Sequence, residues 1–76
     1  MKIKRKDSFM ENILTKREME ILKQVYQNKT NREIAELFHL SIHTIKAHNS
    51  EIYRKLNAKN KLDAILTAIR KGYLEL

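Results

Sequence analysis

Apolar residues recur at helical spacing in four stretches of the chain. Each stretch opens on a residue able to cap a helix. The first is Thr15-Lys16-Arg17-Glu18, a capping box in which the hydroxyl takes an orphan N–H and the glutamate reaches back. Leu14 and Met19 flank that cap as a hydrophobic staple, and Met19, Leu22, Val25 and Tyr26 form the stripe that follows. Asn28 is a left-handed stop, because asparagine tolerates positive φ. Thr30-Asn31-Arg32-Glu33 is a second capping box, leading into an apolar stripe of Ile34, Leu37 and Phe38, with Ala35 small enough to let another helix approach. That helix ends near His39.

Ser41 caps the third helix, with Leu40 and Ile45 as its staple, and the spacing predicts a helix from about Ile42 to Leu56. At about 100° per residue, Ile42, Ile45, Ile52 and Leu56 fall on one side and are expected in the core. His43, Ala47, Ser50 and Arg54 fall on the other, flanked by Thr44, Lys46 and Glu51. Asn49 lies on the core side, where its amide has to find partners or stay partly exposed. Asn60 caps a fourth helix, at about 61–71, and Gly72 ends it after Arg70 and Lys71. The apolar arc of this helix is about twice the ~100° that a monomeric surface helix needs. Ala64, Ile65 and Ala68 form one edge, and Leu62, Leu66, Ile69 and Tyr73 the other, expected to meet a second molecule. Strand signals are weak, so the expected class is all-α. Residues 1–13 show no clear element and read as a basic arm, from which Phe9, Met10 and Ile13 can dock on the core.

Composition narrows the chemistry. A chain of 76 residues builds one domain, and 42% hydrophobic with 33% charged residues marks it as globular. Without cysteine it has no disulfide framework and no thiolate metal site. A single glycine, Gly72, excludes a glycine-rich phosphate loop. Its apolar runs are too short to span a membrane, and no apolar segment of a secretory signal follows the basic start, so the expected compartment is the cytoplasm. The net charge of +7 points to a polyanion. Within residues 39–61 stand Lys46, Arg54, Lys55, Lys59 and Lys61 against the single acid Glu51, so the charge gathers around the third helix.

A capped helix, a turn of about three residues and a longer capped helix with a polar outer face form a helix-turn-helix, whose second helix enters the DNA major groove. The candidates for base contact are His43, Lys46, Ala47 and Ser50. Thr30, Asn31 and Thr44 sit at helix N-termini, where hydroxyl, amide and backbone N–H groups suit phosphates, and Arg54, Lys55 and Lys61 add further phosphate contacts. Other chemistries fit less well. His39, His43 and His48 tempt a metal assignment, but His39 lies in the turn, His48 points to another face, and no carboxylate completes a ligand set; no metal or cofactor is expected. Ser41 and Ser50 lack a base and orienter, so no enzyme activity is expected. The polar side of the fourth helix has few lysines for a membrane surface.

The segments Leu14–Leu22, Asn31-Arg-Glu-Ile-Ala35 and Leu40-Ser-Ile-His-Thr-Ile-Lys-Ala-His48, with Ile52, Lys55-Leu56, Ala64-Ile65 and Gly72, resemble the LuxR/GerE-type helix-turn-helix domain of bacterial transcription regulators. The resemblance covers about residues 14–76. It implies a tetrahelical domain that binds double-stranded DNA as a homodimer through the fourth helix, on an inverted-repeat promoter site, with RNA polymerase as a further candidate partner and the nucleoid as its place when bound. It assigns Lys46, Ala47 and Ser50 to bases, and Thr30, Asn31 and Thr44 to phosphates. Most relatives carry an additional N-terminal receiver or ligand-binding domain, so the expectation is a free-standing member. The chain departs from the pattern at Asn28 (usually glycine), Phe38 (usually leucine), Asn49 (often apolar) and Glu51 (usually asparagine or basic). Two alternatives stay open. One is a module like region 4 of a sigma factor, which shares the Thr-x-Arg-Glu and Glu-Ile-Ala signals. The other is a small interaction protein that heterodimerises with a full-length regulator and blocks it.

Overall fold

The fold, taken from a computed structural model, is described for residues 13–76. The expected basic arm, with Phe9 and Met10, lies outside the described residues except for Ile13. Over the described span the chain forms α1 (Lys16–Tyr26), α2 (Asn31–Phe38), α3 (Ile42–Leu56) and α4 (Lys61–Arg70), with no strand. All four expected caps are in place. Thr15 Oγ1 accepts from Glu18 N at 3.1 Å while Thr15 N donates to Glu18 Oε1 at 2.9 Å. Thr30 and Glu33 repeat the box at 3.1 and 2.8 Å. Ser41 Oγ accepts from Thr44 N at 3.0 Å, and Asn60 Oδ1 from Asp63 N at 2.8 Å.

The four helices also stop in one way. The residue with positive φ follows the helix end directly at His39 (58°) and Asn57 (56°), and one residue later at Asn28 (68°) and Gly72 (84°). There it closes the paired bonds of a Schellman motif. At His39, for example, His39 N donates to Glu36 O at 3.3 Å and Leu40 N to Ala35 O at 2.9 Å. Asn28 and Gly72 are the stops expected from sequence; His39 and Asn57 adopt the same turn without the glycine that usually fills it.

The core is built around α3, which packs against each of the other three helices. Ile21, Leu22, Ile34, Ile45 and Ile52 are fully buried, and Leu14, Val25, Leu56, Ala64 and Ala68 close around them. Three details differ from the periodicity. The stripe of α1 is centred on Ile21 and Leu22, with Met19 and Tyr26 only half-buried at its margins. In α2, Leu37 is exposed, and Ala35 is buried beside Ile34 on the helix that packs against α3. Ile42, expected in the core, is exposed at the first position of α3. Phe38 is half-buried, packed against the edge of the core, with the Arg17 guanidinium 4.9 Å from its ring centroid in a cation–π contact.

Beyond Gly72 the chain turns back, and Tyr73 and Leu74 are drawn into the core. Ile13 N donates to Tyr73 Oη at 3.3 Å, and Tyr26 Oη donates to Glu75 O at 2.8 Å, so the C-terminal residues are tied to Ile13 and to α1.

Candidate nucleic-acid interface

The two faces of α3 separate as the helical wheel requires. Ile45, Ile52 and Leu56 are buried, while His43, Lys46, Ala47, Ser50 and Arg54 are exposed on the opposite side. The short side chains of Ala47 and Ser50 leave the middle of that face low. A base edge or a backbone can therefore come close, with the longer Lys46 and His43 toward the N-terminal end. Thr44 stands half-buried at its border. Ser41 Oγ donates to Thr44 Oγ1 at 3.0 Å, which leaves the Thr44 hydroxyl its own proton to give to an anion.

The start of α2 meets the middle of α3. Asn49 Nδ2 donates to Asn31 Oδ1 at 3.0 Å, joining residues from the two helices. Thr30, exposed just before Asn31, has its Oγ1 occupied as an acceptor by Glu33 N, so its hydroxyl proton is also available. Thr30, Asn31 and Thr44 therefore offer donors from two helix starts.

The basic residues fare differently. Arg54 is exposed but lies against Glu51, with Nε 3.1 Å from Oε1 and a second, closer bond from Nη2 to Oε2. That hydrogen bond holds the Glu51 carboxyl below its ordinary range against slight desolvation, and it raises the Arg54 guanidinium. Lys61, exposed on the first turn of α4, donates from Nζ to Asn28 Oδ1 at 3.1 Å, steadying the left-handed turn after α1. Lys55, expected at a phosphate, is turned inward instead. Its Nζ lies 2.9 Å from Glu18 Oε1, with side-chain exposures of only 21% and 7% for the pair. The cause is Glu18, which the capping box places on the buried stripe of α1 where a carboxylate needs a cation. Burial pushes the Glu18 carboxyl up, but the Lys55 hydrogen bond and charge, with the Thr15 amide, outweigh it and hold the pKa below the ordinary value. The signal was present in the sequence, because Glu18 shares a helical face with Ile21, Leu22 and Val25.

On α4, Leu62 is 65% and Leu66 46% exposed, and Ile69 is half-buried. Tyr73, expected as the end of this stripe, is not on it: the Gly72 turn ends the helix and folds Tyr73 beneath the core at 9% exposure. Among the described residues, no group of three or more His, Cys, Asp or Glu is placed to hold a metal ion, and no helix is long and apolar enough to cross a membrane. A hollow of about 440 Å³ lies between α1 and the C-terminal residues, lined in part by Lys23, Tyr26 and Glu75; none of its lining comes from α3.

Comparison with known proteins agrees with this arrangement. Residues 12–68 match the model of the family described as bacterial regulatory proteins, luxR family. The spore germination protein GerE of Bacillus subtilis is 36% identical over 74 residues, covering 97% of this chain and all of GerE. The oxygen regulatory protein NreC of Staphylococcus carnosus is 41% identical over 63 residues, 83% of this chain and 29% of NreC, so the chain spans less than a third of that relative. Among solved structures, the response regulator ChrA of a heme-sensing two-component system superposes with a TM-score of 0.78 at 34% identity, over 84% of this chain and 32% of ChrA.

Proposed function

The chain belongs to the luxR family of bacterial regulatory proteins, DNA-binding transcription regulators and not enzymes, and on that premise we propose that it reads a specific double-stranded site with α3 in the major groove. The observation that carries this reading is the split of α3 into a buried hydrocarbon side and an exposed side bearing His43, Lys46, Ala47 and Ser50. Lys46 donates to guanine O6 and N7, Ala47 touches a thymine methyl, and Ser50 and His43 read either partner of a pair. Thr30, Asn31 and Thr44 hold phosphates on two sides of the groove, with Lys61 and Arg54 beyond them. Lys55 is left out of this set, because its charge is held by Glu18. The protein acts as a homodimer through Leu62, Leu66 and Ile69 of α4, placing two copies of α3 about 34 Å apart on an inverted repeat. The working compartment is the cytoplasm, with the protein on the nucleoid when bound and RNA polymerase as its partner at the promoter.

The deciding experiment is selection of bound duplexes from a random pool with the purified chain. An enriched inverted repeat establishes direct, dimeric readout. A folded protein that enriches nothing overturns it and favours a partner that heterodimerises with a longer regulator through the same α4 face.

A further inference from the structure

We infer that Asn49 is a positioning residue that holds the Asn31 amide, at the start of α2, in the orientation that grips a DNA phosphate. The inference rests on the DNA-binding reading above. The inner side of α3 runs Ile45, Asn49, Ile52 and Leu56: three hydrocarbon side chains, all buried, and one half-buried amide. The amide is not there for stability. Its Oδ1 is buried without a hydrogen-bond partner, an arrangement that disfavours the folded state relative to an apolar side chain of similar size. Its Nδ2 makes a directed bond to Asn31 Oδ1, 3.0 Å away on another helix.

That bond decides what Asn31 can offer. An asparagine side chain has one accepting oxygen and an NH₂ group with two donors. Left alone at a helix start, it can turn either toward solvent, and an outward carbonyl repels an anion. With its oxygen engaged by Asn49, the group left for a ligand is the NH₂, beside the Thr30 hydroxyl on the first turn of α2. A phosphate then meets donors only. Because Asn49 belongs to α3, the bond also ties the phosphate anchor to the helix that enters the groove, so the two contacts keep a fixed spacing.

The test uses the full chain, a random-sequence duplex at low salt, and the variants Asn49→Val, Asn31→Ala and their combination. Asn49→Val is expected to melt at or above the wild-type temperature yet bind several-fold to about tenfold more weakly, the scale of one ordinary hydrogen bond. Opposite movements of stability and affinity separate positioning from a structural role. Loss of an uncharged donor leaves the slope of log K against log salt unchanged. Asn31→Ala, at the surface, is expected to weaken binding at least as much, and adding Asn49→Val to it to change nothing further. Unchanged binding in either single variant overturns the proposal, as does an equal further loss in the double variant. If Asn49→Val unfolds, the Asn31→Ala arm still decides, together with Asn49→Ala. A wild-type chain that binds no duplex overturns the DNA-binding reading itself, a failure distinct from a binding wild type with indifferent variants.

Discussion

Glu51 is the only acid in α3, and it lies against Arg54 beside the face that carries Lys46, Ala47 and Ser50. Its charge opposes a polyanion, and its exposed bond to Arg54 competes with the phosphate proposed for that residue. Glu51→Gln is therefore expected to tighten binding to duplex DNA by about threefold per protomer, the scale of an exposed charge pair. The salt slope should steepen by up to about one as Arg54 is freed to neutralise its phosphate in full. Titrations at two salt concentrations check this, and weaker binding would show that the pair is needed to aim Arg54. Lys46 makes a sharper prediction. If it reads guanine, Lys46→Ala costs about 1–3 kcal/mol at one base position and relaxes the preference there alone. Equal weakening on every sequence in a competition series would move Lys46 to the phosphate set. Spacing along one helix already put Lys46 and Glu51 on the flanks of the outer face, whereas the Glu51–Arg54 bond came only with the structure. The inward turn of Lys55 was different, because it depends on Glu18, 37 residues earlier in the chain.

Elements were legible wherever their signals are local. Thr15, Thr30, Ser41 and Asn60 start helices by bonds to residues three places on, so the sequence carries the whole arrangement. Bonds between helices are not written at any spacing, which is why the Glu18–Lys55 pair escaped and Asn49 was recognised only as an amide in need of a partner. Two predictions concern these joints. His39 holds φ at 58° with its side chain exposed, so His39→Gly removes left-handed strain and loses no burial. After the added entropy of a glycine in the unfolded chain, the gain is about 0.5 kcal/mol, a rise of a few degrees in melting temperature. His39→Val should move the melt down, because a branched side chain suits that φ poorly. The second prediction joins α1 to α3. Glu18 has a folded pKa below its unfolded value near 4.3, so its contribution is present above that pH and disappears as the pH falls through the folded value. Lys55→Met leaves burial opposed by the Thr15 amide alone. It should cost about 1–3 kcal/mol at neutral pH and flatten the loss of stability on acidification. Melting curves from about pH 6 to pH 3 test the sign; parallel curves for the two proteins would dismiss the pair as a source of stability.

At the scale of the whole molecule, α4 faces two ways. Ala64, Thr67 and Ala68 are buried against the rest of the fold, while Leu62 and Leu66 stand outside it. A two-fold contact through those leucines brings the same residues of two chains together, so one substitution acts twice at the axis. Leu66→Glu would place two carboxylates there in exchange for hydrocarbon contact, yet it leaves the monomer core untouched because Leu66 is already 46% exposed. The expected result is a halved mass in sedimentation, with helical content retained and a melt no longer dependent on concentration. DNA binding should change in kind as well as in strength. A dimer that neutralises about six phosphates has a salt slope near −5, and a lone protomer on one half-site should show about half of that. Binding should also stop depending on the distance between half-sites, because the spacing preference comes from the rigid pair and not from either α3. A wild-type chain that sediments as a monomer at every concentration, with the variant indistinguishable from it, would return Leu62 and Leu66 to solvent. Site recognition would then have to come from one protomer's contacts or from a longer partner joined at α4.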